Sequence, residues 1–194
     1  MIRRPVARAP GPLAVALTLV RTLALTLALT GPARSQDADM TSPALTLVDT
    51  GLVCNPVVLR EEPAPGTVSG VVNVLEEVPE FTVDSRRVPA VIGLSFGALA
   101  RAEAREFPVV DMVVTHPPMG PTGATMQTYT TYFGTGGTTP VLYSLEYDEE
   151  LVLGTWTFEA RAEGEVLYRL SFEVVPPQAL PELAAMCGYE DLLS

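Results

Sequence analysis

The segment from Glu150 to Val175 constrains the fold most, because its apolar residues alternate at the period of a β-strand. Successive side chains of a strand point to opposite faces. Two rows of alternating apolar residues, one on each half of the segment, would therefore share a face: Trp156, Phe158, Ala160 and Ala162, then Val166, Tyr168, Leu170, Phe172 and Val174. The pattern predicts a β-hairpin whose apolar face must be covered by a second sheet.

The length of the hairpin loop decides which residues face each other. A two-residue turn of Glu163 and Gly164 would place Phe158 opposite Arg169 and bury a charge. A loop with one more residue places Phe158 opposite Leu170, so that the two apolar rows meet. The sequence therefore predicts a three-residue loop, or a bulge at Gly164, where glycine accepts positive φ without steric cost.

Short β-prone segments follow one another at spacings of about ten residues, with proline and glycine turns between them. The clearest lie at residues 44–54, 68–75, 91–100, 109–115, 125–133 and 141–147. No long helical period intervenes, which disfavours an α/β sheet. We therefore predict an all-β fold, an Ig-like antiparallel β-sandwich of about seven to nine strands. A short C-terminal helical tail is expected at residues 180–186.

The sequence after residue 35 is expected to consist of three parts. Residues 36–66 are expected to form an N-terminal strand and a connector or irregular edge that contains three prolines. Residues 67–176 are expected to form the sandwich, and residues 177–194 its C-terminal tail.

Strand alternation also assigns individual faces. Ile92 and Tyr147 fall in the rows expected to point inward. Gly93, Ser95 and Gly97 make an unusually small face on the other side of the strand that contains Ile92. Small residues on a strand indicate a bulge or a close approach of another backbone.

The first 35 residues have the form of a secretory signal peptide. Arg3, Arg4 and Arg8 precede an apolar run, and Ala33-Arg34-Ser35 offers small residues at a cleavage site, with Gln36 as the first mature residue. A membrane anchor is the alternative. The run is short for a bilayer of about 30 Å and contains Arg21, which favours cleavage and a chain without membrane insertion afterwards.

Removal of the leader would leave a strongly acidic chain. Seven arginines, no lysine and all 23 acidic residues follow Ser35, which gives a net charge of −16. Such a field repels nucleic acid and anionic membrane surfaces. The negative net charge favours solubility, and it is also compatible with binding to a basic partner.

The two cysteines, Cys54 and Cys187, lie near the two ends of the mature chain. An exported chain with two cysteines usually pairs them, so we expect a disulfide. Two free thiols, or one reactive thiol, are the alternative. Neither cysteine belongs to a CxxC pair, so a redox enzyme is not indicated.

No residue pattern indicates catalysis or a cofactor. His116 is the only histidine, and a Ser-His-Asp triad or a zinc site would need it together with further ligands. Asp148, Glu149 and Glu150 could bind Ca²⁺ but lack the spacing of a calcium loop, so they are interpreted as a solvated acidic turn. The glycines near Gly134 are interpreted as turn residues. We therefore expect no cofactor and no metal.

Aromatic residues of the hairpin have two interpretations. They could line a carbohydrate or peptide site, or they could form the sandwich core. The register favours the core. The best candidate for an interaction loop is a separate tract that follows the predicted strand at residues 109–115, and its prolines and glycines fix its shape. The tract consists of His116, Pro117, Pro118, Met119, Gly120, Pro121, Thr122 and Gly123. A plain chain reversal is the alternative.

Four motifs carry a family resemblance. They are Val88-Pro89-Ala90 leading to Gly93-Leu94-Ser95-Phe96-Gly97, His116-Pro117-Pro118 with the turn Pro121-Thr122-Gly123, the block Glu150-Leu151-Val152-Leu153-Gly154-Thr155-Trp156-Thr157-Phe158, and the closing Phe172-Glu173-Val174-Val175. Over about Val88 to Val175 the chain resembles a bacterial family described only as a domain of unknown function, numbered 3859. That family usually has proline where this chain has Leu153. The resemblance implies an Ig-like β-domain and supplies no catalytic residues.

These observations predict an exported, periplasmic Ig-like module of the cell envelope; an extracellular location is the alternative. A non-enzymatic binding or accessory role, with an envelope protein or a glycan as partner, is favoured by analogy with the fold class. A periplasmic hydrolase or metal-dependent enzyme, and a purely structural envelope protein, are the alternatives.

Overall fold

A computed structural model describes residues 38–193, and the predicted signal peptide lies outside this range. The described chain is mostly β-structure. Its strands are β1 (Met40–Thr41), β2 (Leu45–Cys54), β3 (Val58–Pro63), β4 (Val71–Leu75), β5 (Arg87–Pro89), β6 (Leu94–Ala102), β7 (Phe107–Met119), β8 (Ala124–Phe133), β9 (Thr139–Ser144), β10 (Gly154–Ala162) and β11 (Glu165–Val175). One short helix follows, α1 (Ala184–Cys187).

Two sheets form the sandwich. The larger has the order β1-β11-β10-β7-β8, with β5 parallel to β11, and the smaller has the order β2-β6-β9. All other pairings are antiparallel. If β2 and β6 to β11 are taken as strands A, B, C, C′, E, F and G, the sheets are A-B-E and C′-C-F-G. This is the connectivity of an immunoglobulin sandwich, so the predicted fold class is confirmed.

Aromatic side chains from both sheets build the centre of the core. Phe96 of β6 meets Trp156, Phe158 and Phe172 of the larger sheet at ring-centroid distances of 5.6, 5.5 and 5.3 Å. All four side chains are buried. Such edge-to-face contacts add to the free energy gained by burying the rings. The predicted inward row of the hairpin is confirmed for these aromatics.

The predicted three-residue hairpin loop is wrong. Ala162 pairs with Glu165, so Glu163 and Gly164 form a two-residue turn, and both have positive φ. Positive φ at both central residues is the geometry of a type I′ hairpin turn. The apolar rows still meet, because a bulge at Leu167 restores the register, and Phe158 pairs with Leu170 as expected. The bulge is therefore present, but three residues beyond Gly164.

The strand containing Val110 does not stop at His116. β7 continues to Met119, and the pairing with β8 is irregular between Thr115 and Met119. Pairing with β10 ends at Thr115. Pro117 and Pro118 are tolerated because they lie in this bulged stretch, where no regular ladder requires their missing N–H groups. Val110, Met112 and Val114 point inward as expected, and all three are buried.

Residues 55–66 are not a connector. They contain β3, which pairs with β4 to form a separate two-stranded hairpin. The predicted start of the sandwich at residue 67 is also wrong, because β2 belongs to the smaller sheet. Two face assignments fail as well: Ile92 precedes β6, Tyr147 follows β9, and both side chains are exposed because alternation ends with the strand.

The close approach expected at Gly97 is confirmed. Its φ is +155°, and a Cβ built there would lie 2.0 Å from the carbonyl oxygen of Val141 on β9. Only glycine fits this position. β6 and β9 can therefore pair without a bulge.

The C-terminal tail folds back onto the first sandwich strand. Short 3₁₀ turns precede and follow α1, and Gly188 ends the helix with φ of 73°. Cys187 forms the expected disulfide with Cys54, with the two Cα atoms 5.1 Å apart. Among the described residues, no helix is long and apolar enough to span a membrane.

Candidate functional groove

A groove of about 540 Å³ lies between the β3–β4 hairpin and the edge strands β8 and β9 of the two sheets. Its volume falls within the range of about 300–1,000 Å³ that is usual for ligand pockets. We call it the edge groove. Gly66, in the β3–β4 loop, fixes the hairpin over β8 by accepting a 2.9 Å hydrogen bond from the backbone N–H of Thr128.

Strand edges, rather than strand faces, form the walls of the edge groove. All residues from 71 to 78 line it, as do residues 138–140 and 142–144. A wall made by one face of a strand would show only every second residue. In the described part of the chain, β9 pairs only with β6 and β4 pairs only with β3.

Backbone hydrogen-bonding groups on β9 point into the groove. Leu145 donates its N–H to the carbonyl of Leu94 on the paired side, at 2.9 Å. Because this direction alternates along an antiparallel strand, Leu142 and Ser144 direct their N–H and C=O groups away from β6. The same alternation on β4 turns the backbone groups of Asn73 away from β3.

The floor of the groove contains a polar network centred on Gln127 of β8. The Gln127 amide oxygen accepts from the backbone N–H of Val68 at 2.7 Å. Its amide nitrogen donates to the hydroxyl of Tyr143 at 3.1 Å and to Nε2 of His116 at 3.2 Å. All side-chain hydrogen-bonding groups of this buried amide are therefore used, which holds the floor rigidly.

Glu150 completes the network from the turn after β9. One carboxylate oxygen accepts from the Tyr143 hydroxyl at 2.7 Å. The other accepts from the backbone N–H groups of Glu146 and Tyr147 at 2.7 and 3.1 Å. Burial raises the pKa of Tyr143, so its hydroxyl keeps its proton and remains a donor at neutral pH.

His116 is held in one tautomer by its partners. Gln127 donates to Nε2, so the ring proton lies on Nδ1, which donates to the carbonyl of Pro117 at 2.8 Å. The ring packs on Trp156 at 4.7 Å between centroids. Desolvation lowers the pKa of His116, and the Pro117 carbonyl offsets part of this effect. Both nitrogens are therefore bound to protein groups, which leaves neither to act as a catalytic base.

The predicted interaction loop is only partly a loop. His116, Pro117, Pro118 and Met119 belong to β7, and the side chains of His116 and Met119 are buried. The turn itself is confined to Gly120, Pro121, Thr122 and Gly123. The tract therefore places His116 behind Gln127 of the groove floor, and it does not form one exposed surface.

The acidic turn is likewise divided. Asp148, Glu149 and Glu150 form a 3₁₀ turn, but only the first two are exposed. Glu150 is buried as the network acceptor, so the interpretation of all three as solvated was wrong. Within residues 38–193, no group of three or more His, Cys, Asp or Glu side chains could hold a metal ion.

The charge of the edge groove is negative. Among the described residues, its lining contains five glutamates and one arginine, and Arg60 is already paired with Glu62 at 2.6 Å. Asn73 donates to Glu146 at 2.7 Å, which links β4 to the end of β9. Hydroxyl groups of threonine and tyrosine supply most of the remaining polar lining. The groove therefore favours a ligand that donates hydrogen bonds and carries positive charge.

Sequence patterns did not reveal the groove. Gln127 lies in a strand rich in threonine and tyrosine, where one more polar residue is unremarkable. Tyr143 belongs to the same alternating row as Tyr147, which is expected to point inward, and its side chain is only partly buried. The one related sequence signal was the small-residue face around Gly97, which indicated a bulge or the close approach of another backbone but did not identify β9 as that neighbour.

The order of the strands and the position of the groove define this protein as an Ig-like β-sandwich with an additional hairpin across one open edge. The chain belongs to the family described as a domain of unknown function, DUF3859, which matches residues 41–174. The matched region is longer than the stretch from Val88 to Val175 that carries the motifs. It includes β2 and the β3–β4 hairpin, so both are part of the family domain.

A crystal structure of an immunoglobulin-like protein from Pseudomonas aeruginosa is similar to this chain. It is 16% identical, covers 73% of this chain and 99% of its own length, and superposes with a TM-score of 0.45. No curated protein matches the sequence.

Proposed function

We propose that this protein is an exported, non-enzymatic Ig-like binding module of the cell envelope, and that its partner binds in the edge groove. The observation that carries the proposal is the groove itself: an open volume of about 540 Å³, walled by unpaired strand edges over a fixed polar floor. Loops and edges placed on a rigid sandwich are usual positions for recognition.

The floor is built to hold a shape rather than to perform chemistry. Gln127, Tyr143 and Glu150 use their polar groups on one another and on the backbone. A catalytic acid or base must be free to exchange a proton with substrate. This arrangement favours binding over the alternative of a hydrolase.

Export is supported by two features of the chain. The first 35 residues have the charge and apolar pattern of a signal peptide. The disulfide between Cys54 and Cys187 suits an oxidising compartment such as the periplasm. N-terminal sequencing of the protein purified from its native cells is expected to begin at Gln36, and a mature protein that begins at Met1 would exclude cleavage of a leader.

Site-specific photocrosslinking in native cells tests the binding role. The chain has no lysine, so amine-directed reagents reach no side chain of the protein. A benzophenone residue is placed at Tyr132, which is exposed and lines the groove, or at Met186, an exposed control position in the tail. We expect one covalent adduct, identified by mass spectrometry, from position 132 only. Equal adducts from both positions, or none, contradict the proposal.

A further inference from the structure

We propose that the occupant of the edge groove is an extended, lysine- or arginine-containing segment of another protein, which adds as a strand to the free edge of β9. This inference rests on the proposed binding function and specifies its ligand. It is carried by three features: the unpaired edge of β9, the second edge of β4 across the groove, and the charge of the lining.

The position beside β9 is one where a related sandwich carries a strand. In the constant-type immunoglobulin arrangement, strand D pairs with strand E to give the sheet A-B-E-D. In this protein β9 is strand E, and no strand of residues 38–193 pairs with its outer edge. The β3–β4 hairpin stands across this position and leaves the edge groove between them.

An added strand would find backbone partners on β9. Leu142 and Ser144 direct their N–H and C=O groups into the groove, and Pro140, two residues earlier, lacks an N–H that such a ligand could use. Proline at the start of an edge strand, with its nitrogen on the unpaired side, costs no sheet hydrogen bond. Addition of a strand to an open edge is a common way to bind extended peptides.

The opposite wall favours an extended ligand over a folded one. Asn73 of β4 turns its backbone groups away from β3, towards the groove. A segment that lies between β9 and β4 would thus meet backbone hydrogen-bonding groups on both of its sides, which suits one extended chain. The side chain of Asn73 is bonded to Glu146, which closes one end of the groove.

The acidic lining of the edge groove favours basic side chains on the bound segment. Glu76 and Glu77 follow β4, line the groove and are exposed, so their carboxylates can pair with incoming cations. The single lining arginine is neutralised by Glu62. The lining therefore attracts lysine and arginine and repels acidic segments, and it steers association most strongly at low ionic strength.

The test is a selection of displayed random ten-residue peptides against the folded protein, with two variants of β9. Leu142→Pro removes the N–H that faces the groove but no hydrogen bond to β6, and Leu142→Ala keeps that N–H while shortening the same side chain. Thermal unfolding by circular dichroism establishes that both variants fold. We expect enriched peptides to be β-prone and basic, and to bind Leu142→Pro about five- to tenfold more weakly than Leu142→Ala.

A second measurement does not depend on any protein variant. The best peptide is synthesised with and without N-methyl groups on the residues that would face β9, and binding is followed by Trp156 fluorescence, since Trp156 packs on Tyr143 of the groove floor at 4.8 Å. We expect N-methylation to weaken binding at least tenfold, because it removes backbone donors. Equal binding of the methylated peptide overturns strand addition.

The remaining outcomes separate this inference from the proposed function. If no peptide is enriched but a chitin tetrasaccharide binds and is blocked by substitution of Tyr132, the groove is a glycan site, and the binding role stands without the strand. If neither probe binds and the crosslinking from position 132 gives no adduct, both proposals fail.

Discussion

Replacement of Glu150 by glutamine tests how the groove floor is held. The carboxylate accepts from the Tyr143 hydroxyl and from the N–H groups of Glu146 and Tyr147. A glutamine can keep its oxygen on the two backbone N–H groups, but its NH₂ then faces Tyr143, whose oxygen already accepts from Gln127. The tyrosine proton loses its acceptor. One charge-assisted hydrogen bond is lost and two are weakened, so we expect the free energy of unfolding to fall by about 2–3 kcal/mol.

The assay is urea unfolding followed by the fluorescence of Trp156, the only tryptophan. Glu149→Gln is the matched control, because Glu149 is the preceding residue and its side chain is exposed. We expect the control to change the free energy of unfolding by less than about 0.5 kcal/mol. Equal unfolding midpoints for Glu150→Gln and Glu149→Gln would refute the role of Glu150 as the acceptor that organises the floor.

Three further predictions concern stability. Replacing Cys54 and Cys187 with alanine removes a link across 133 residues and should lower the free energy of unfolding by about 4–5 kcal/mol in the chain-entropy treatment; urea unfolding of the oxidised protein and the variant checks this, and equal midpoints contradict it. Gly97→Ala should destabilise by more than about 2 kcal/mol while Gly136→Ala, which has open space around it, should stay within about 0.5 kcal/mol, both measured by thermal unfolding. The pKa of His116 is lower in the folded protein than in the unfolded chain, so the unfolded chain binds a proton first as the pH falls below about 6.5, and the folded state loses stability until the pH reaches its own, lower pKa. The wild type should therefore lose more free energy of unfolding than His116→Gln between pH 7 and 5.5. Parallel pH profiles of the two proteins would contradict this assignment to His116.

The sandwich could be predicted because its strongest signal is local. Trp156, Phe158 and Phe172 alternate with polar residues, and a period of two assigns them to one buried face whatever the strand order. The hairpin turn could not be predicted from the same pattern, because the register depends on a bulge at Leu167. The apolar residues near Leu167 could lie on either face of β11, so the sequence alone does not show which residue forms the bulge.

The edge groove could not be predicted because its parts are distant in the chain. Gln127 and Val68 are 59 residues apart, and only the folded hairpin brings them together. Glu150 follows two other acidic residues and therefore has the sequence pattern of a solvated turn. Its burial depends on a bend that aims two backbone N–H groups at its carboxylate. Long-range geometry of this kind leaves no periodic signal.

Hydrogen exchange in the presence of native envelope extract tests most directly whether a partner occupies the edge groove. The exchange of backbone amides in β4 and β9 is compared for the protein alone and with extract, with residues 184–193 of the tail as the internal control. Occupation of the groove predicts at least about tenfold slower exchange in β9 and slower exchange in β4, with no change in the tail. Unchanged exchange in both strands, or protection that appears only in the tail, would contradict the groove as the binding site.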